Sequence, residues 1–282
     1  MGSWNDILNE VKTCPQPAAQ DFVRRQYLRK LSEKTKRNVI AYYSAWLQKP
    51  GIRGVELNDG DKSGFMATIY QLDRTKGLDL ILHTPGGQVA ACESIVNYLR
   101  TMFDSDIVAY VPQIAMSAGT MIACGCKQIV MGRHSNLGPI DPQFNGIPAY
   151  GVTKEFERAM SEVKDDKSRA LIWQFIIGKY HPTFIGECEN AIQWSQTMVV
   201  QWLETGMFKE YPDRKLKAKK VANSLSNKEK TLTHSRHLEL DDCQKIGLNI
   251  KELENDQDLQ DIVLSIHHAY MITFSQTHAI KI

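Results

Sequence analysis

An α/β fold built around a parallel sheet is what this chain predicts, and three observations predict it. Residues 78–83, 106–111 and 127–131 are short, nearly continuous apolar runs, as strands buried on both faces tend to be. Stretches with helical spacing separate them, which gives a βαβαβ alternation and right-handed crossovers. The first two runs each lead into small residues that open a helix, the place where open parallel sheets build their sites.

Taken in order, residues 18–46 place Phe22, Tyr27, Leu28, Leu31, Val39 and Ile40 at near-helical spacing, predicting two amphipathic helices broken near Asn38. Residues 51–57 read as a strand, and 61–72 as a helix closing at Gly77. Val89, Cys92, Ile95, Val96 and Leu99 give residues 88–103 a helical stripe. Residues 117–124 are small apart from Met121 and Ile122, as suits a tightly packed helix. Further helices are predicted at 153–163 and 188–203, then a short one at 241–246 that Gly247 ends before a strand at 248–250. A last helix covers 257–274. The organisation read from this is an N-terminal helical segment (1–48), a core (49–250) and a C-terminal helix (251–282).

Composition narrows the function. The 282 residues are 43% hydrophobic and 23% charged, an ordinary globular balance. Thirty-four basic against 32 acidic side chains leave +2, which gives no field for a nucleic-acid partner. Arg214, Lys215, Lys217, Lys219 and Lys220 form a dense basic run that reads as a solvated helix face. The six cysteines show no CxxC pair or zinc-ligand spacing, so no metal site and a reducing, cytoplasmic setting are expected. Cys124 and Cys126 lie in an apolar run and read as packing. The opening residues lack a basic flank before an apolar stretch, so no secretory signal is expected. Residues 107–131 are apolar, but Pro112, Gln113 and Lys127 interrupt them, which predicts buried core rather than a membrane span. Neither GxGxxG nor GxxxxGK[ST] occurs, and no cofactor is expected.

Two segments carry chemistry. Thr84-Pro85-Gly86-Gly87 ends a buried strand and runs into a helix, so its backbone can approach a ligand closely and aim N–H groups at an anion. Ser117, in Ala115-Met116-Ser117-Ala118-Gly119-Thr120, opens the next helix. A serine there can serve as an N-cap. Set beside the glycine turn, it reads as a nucleophile whose oxyanion is held by Gly86, Gly87 and Ala118, with the N–H groups of Gly87 and Ala118 as donors.

HTPGG, then VPQIAMSAGTMIAC, then GPIDPQ, in this order and separation, resembles the Clp-peptidase superfamily and within it the serine dehydrogenase proteinases, over residues 24–250. RNVIAYYSAWLQ is also similar to that family. The resemblance implies a Clp/crotonase (ββα-superhelix) fold with added N- and C-terminal helices, peptide-bond hydrolysis of peptides or unfolded proteins, and a homo-oligomer, with a separate ATPase or adaptor as a possible partner. It also implies a Ser-Asp-His order, matched here by Ser117, Asp141 and His234, where Clp peptidases carry histidine at the place of Asp141. His237 lies in the same stretch, and Lys154 is an alternative base by similarity to signal peptide peptidase A. Asp141 before Pro142 is also an ordinary turn former, His134 reads as a loop residue, and His267, His268 and His278 as packing or surface. Two other classes share the fold: a catalytically silent scaffold and a crotonase-type acyl-CoA enzyme.

Overall fold

The computed structural model describes residues 2–226, 233 and 235–282. Five parallel strands form the central sheet: β1 (Asn38–Tyr43), β2 (Leu78–His83), β3 (Ile107–Val111), β5 (Gln128–Met131) and β9 (Ile250–Glu252), in the order β1-β2-β3-β5-β9. Between them come α3 (Gly60–Ile69), α4 (Val89–Phe103) and α5 (Ala118–Cys124), and, after β5, α6 (Ala149–Asp165), α7 (Ala170–Ile177), α8 (Phe184–Thr205), α9 (Arg214–Ser226) and α10 (Leu240–Ile246). Helices α1 (Trp4–Thr13), α2 (Ala19–Thr35) and α11 (Gln257–Gln276) complete it.

Strand alternation sorts the core into two layers. Leu78, Leu80 and Leu82 face Ile95 and Leu99 of α4, Met121 of α5 and Val199 of α8. Ile81, Val108, Tyr110 and Val130 point the other way, onto Leu31 of α2 and Ile266 and Phe274 of α11. Each fully buried leucine contributes about 1.5–3 kcal/mol by leaving water. The one carboxylate inside the β2 run, Asp79 (0% exposed), is tolerated because Arg37 Nε donates to it at 2.6 Å. The same guanidinium reaches Asp106 at 2.8 Å.

Two sequence expectations fail in the first sixty residues. Residues 38–43 are an edge strand, so segment 1–48 is not helical throughout. Lys36 ends α2 in a left-handed conformation (φ 60°), and beyond it Ile40 and Tyr42 face one core layer while Tyr43 faces the other, a period of two that is hard to separate from helical spacing in so short a run. Residues 51–57 are a turn-rich loop with one bridge, Leu57 to Gly87, because Gly51 and Gly54 adopt left-handed φ of 81° and 85°. Helix α1, which Ser3 and Asp6 cap reciprocally, adds to the predicted elements. The remaining predicted helices are present within a few residues, and Gly247 (φ 105°) does end α10.

Candidate active site

Above the carboxyl ends of β2 and β3 lies a narrow second layer. Thr84 bridges Ala115 in parallel; β4 (Ile114–Ala115) pairs with β6 (Asn136–Leu137); Leu137 in turn bridges Leu238 in antiparallel sense. One floor thereby joins the glycine turn, the approach to Ser117, the loop after Leu137 and the chain leading into α10. Thr120 ties it from below, donating to Ala115 O at 2.8 Å and accepting from Gly138 N–H at 2.9 Å.

Ser117 sits two residues past this floor with φ 51° and ψ −113°, a conformation that costs a non-glycine residue on the order of 1–3 kcal/mol. Its hydroxyl makes no capping bond to α5, so the N-cap role does not occupy it. The turn opposite is shaped to meet it. A Cβ on Gly86 (φ 97°) would lie 2.7 Å from Ser117 Cβ and 2.8 Å from Met116 O, and one on Gly87 (φ 155°) would lie 2.3 Å from Leu57 O. Of the three residues assigned to an oxyanion hole, Gly86 spends its N–H on Thr84 Oγ1 at 3.1 Å and acts as a spacer. The N–H groups of Gly87 and Ala118 donate to no acceptor among the described residues. Gly87 lines the same cleft as Ser117, and Ala118 begins α5 directly after it.

That cleft holds about 560 Å³ and is lined by Glu56, Gly87, Val89, Ser117, Phe144 and Trp194, among others. Glu56, Phe144 and Trp194 belong to none of the motifs that the sequence offers. The signal for Trp194 was its i, i+3 stripe with Ala191 on α8, apart from the core stripe of Cys188, Ser195, Val199 and Trp202. Phe144 follows Pro142 and Gln143 in a small hairpin of β7 (Gln143–Phe144) and β8 (Ile147–Pro148), braced by an edge-on contact with Phe184 at 5.5 Å.

The other assigned residues distribute unevenly. Asp141, 6% exposed and engaged in an interaction, precedes Pro142 on the cleft wall; Ile140 N–H to Leu225 O and Ala149 N–H to Pro142 O hold its loop. His234 lies outside the described residues. His237 is exposed beside Leu238, and the antiparallel Leu137–Leu238 pair brings the chain entering Leu238 alongside the chain that leaves Leu137 toward Asp141. Lys154 is exposed on α6, 3.0 Å from Glu157, whose hydrogen bond and charge raise the ammonium pKa. A lysine base needs the opposite shift. His134 faces Glu254 at 3.9 Å, away from the cleft lining, His268 packs on Trp4, and His278 is exposed.

His83, one residue before the turn, is buried with its Nε2 3.0 Å from Gln113 Oε1 and its ring 5.2 Å from that of His267. Burial pushes its pKa down to about 4, too low for a base at neutral pH. Burial likewise pushes the Cys126 thiol up to about 12, which leaves it inert as a nucleophile. Among the described residues, no group of three or more His, Cys, Asp or Glu is placed to hold a metal ion, and no helix is long and apolar enough to cross a membrane.

An uncharacterized protein of Methanocaldococcus jannaschii, MJ0137, is 29% identical over 233 residues, 81% of this chain and 73% of its own length. A second from that organism, MJ1495, is 28% identical over 173 residues, 61% of this chain and 51% of its own. A solved structure of a mutant of the 1510-N membrane-bound stomatin-specific protease aligns over 73% of this chain and 79% of that one, at 16% identity and a TM-score of 0.41. Residues 14–276, nearly the whole chain, match the model of one family, and with Ser117 and the glycine turn inside that span this protein belongs to the ClpP-like SDH-type serine proteinases.

Proposed function

We propose that this chain hydrolyses peptide bonds through an acyl-enzyme on Ser117. The observation that carries the reading is the strained Ser117 at the head of α5, uncapped and packed against Gly86, with the N–H groups of Gly87 and Ala118 donating to no acceptor among the described residues. In this reading Ser117 Oγ attacks the scissile carbonyl as a base takes its proton. The oxyanion accepts from Gly87 and Ala118, the base returns the proton to the leaving amine, and water releases the acyl group by the reverse route.

The base is assigned to His234, with Asp141 orienting it. Support comes from the burial of Asp141 next to the cleft and from the Leu137–Leu238 pairing, which aligns the chain approaching Leu238 with the chain approaching Asp141. His237 is the alternative base in the same stretch. Homo-oligomer formation belongs to this reading and is supported by α7, where Leu171, Ile172 and Phe175 are 78%, 64% and 73% exposed. A cytoplasmic setting is supported by six free cysteines. An ATPase or adaptor that feeds substrate is part of the same reading.

The test is labelling with a fluorophosphonate, counted by intact mass, in wild type and in Ser117→Ala, His234→Ala and Lys154→Ala. Loss in the first two variants with retention in the third supports the assignment. A folded wild type that takes no label would move the scaffold or acyl-CoA reading ahead.

A further inference from the structure

The walls of the cleft carry unequal chemistry. Val89, Phe144, Ala191 and Trp194 are apolar, and Glu56 is the one charged side chain among the described lining residues. Its backbone is pinned. Glu56 O accepts from Lys281 Nζ at 2.8 Å and from Asn58 Nδ2 at 3.2 Å. The next residue, Leu57, donates its N–H to Gly86 O at 2.8 Å and accepts from Gln88 N–H at 2.9 Å, so Glu56 is carried one residue from the turn that faces Ser117.

The nearby ammonium does not neutralise it. Lys281 Nζ spends its charge on both oxygens of Asp61 at 2.9 Å, in a pair that is largely buried. The Glu56 carboxylate forms no ion pair or hydrogen bond among the described residues, and its side chain is exposed at the cleft. An uncompensated anion beside a turn that is to hold an oxyanion opposes that charge unless the bound substrate brings a cation.

We infer that Glu56 is a specificity-determining residue, selecting peptides that bear a cationic group close to a bulky apolar side chain, the latter resting on Phe144 and Trp194. This rests on the serine-peptidase reading. The cation is an ammonium or guanidinium, supplied either by a Lys or Arg side chain or by a free α-amine.

The experiment separates these sources and does not depend on turnover. Binding to the full chain carrying Ser117→Ala is measured by calorimetry for four versions of one apolar hexapeptide: acetylated with Lys, with norleucine or with Glu at the same position, and unacetylated with norleucine. The Lys peptide binds about fivefold tighter than its norleucine counterpart, as an exposed or half-buried ion pair provides. The Glu peptide binds weaker, and added salt narrows the spread. Tighter binding of the unacetylated peptide alone would assign the α-amine as the cation. Glu56→Lys on the same background reverses the order. Equal binding of the Lys and Glu peptides with no gain for the α-amine, no binding at all, or an order unchanged by Glu56→Lys overturns the inference. Labelling of wild-type Ser117 is read separately: a chain that labels but shows no charge preference keeps the peptidase reading and loses this one.

Discussion

Gly86 and Ser117 are built against each other so closely that a methyl group on Gly86 would place its carbon 2.7 Å from the Ser117 Cβ. Neither backbone can yield cheaply, because Met116 O and Ala118 N stand equally close behind, at 2.8 and 3.0 Å. Gly86→Ala is therefore expected to cut the fluorophosphonate labelling rate by about 100-fold or more, the scale of losing an oxyanion donor. Thermal unfolding should fall by the equivalent of about 1–3 kcal/mol. A variant that labelled at the wild-type rate would contradict this account of the turn.

Ser117 itself pays in stability for its position. At φ 51° with no capping bond, it holds a conformation that glycine adopts without penalty. Ser117→Gly should lose all labelling yet keep or raise the melting temperature, by about 2–4 °C if 1 kcal/mol of strain is released. A clear fall in melting temperature would show that the hydroxyl contributes to the fold rather than to chemistry.

The parts of the site set by backbone chemistry were legible in the sequence, whereas the parts set by long-range packing were not. Pro85-Gly86-Gly87 after a buried run and Ser117 before small residues announce themselves, because only such residues permit that approach. Glu56 and Trp194 come from a loop and a helix far apart in sequence; nothing local marks Glu56, and the Ala191–Trp194 stripe marks a second face of α8 without saying that it meets Ser117. Strand β1 was hidden for another reason: the five apolar or aromatic residues after Asn38, following a charged helix, fit two periods almost equally well, and the pairing with β2 decides between them.

The buried imidazole of His83 predicts an acid limit to stability. Enclosed by Tyr43, Trp46, His267, Ser44 O and Gln113, it has its pKa depressed from 6.5 to about 4 by burial. The unfolded chain takes up this proton first as pH falls. The stability it contributes is thus complete above pH 6.5 and lost between about 6.5 and 4, on the order of 3 kcal/mol in all. Melting curves from pH 7.5 to 4.5 should slope less steeply in His83→Phe than in wild type. His267, pushed the same way by burial, retains part of the slope in the variant.

Lys154 provides a sharp negative test. Its ammonium is exposed, is paired with Glu157 and has a raised pKa, so it holds its proton throughout the working range of a general base. Lys154→Met should change the labelling rate by less than about twofold and leave the melting temperature unchanged, as for an exposed ion pair. Loss of labelling would instead point to a Ser-Lys dyad in a different arrangement of α6.

Trp194 offers a last test, because it separates binding from chemistry. Its indole stands 40% exposed on the cleft wall, opposite the turn that precedes α4, and its ring stacks on no other aromatic among the described residues. An apolar substrate side chain laid against it would bury surface on both partners, worth about 1–2 kcal/mol. Since that contact lies away from the bond being broken, it forms in the ground state and persists to the transition state. Its loss should therefore raise KM and leave kcat nearly unchanged. Trp194→Ala is expected to lower kcat/KM roughly tenfold for a peptide with Phe or Leu near the scissile bond and to have little effect on one with Ala there. A fall in kcat with KM unchanged would mean instead that α8 positions Ser117, and that the cleft wall acts on the chemistry rather than on recognition.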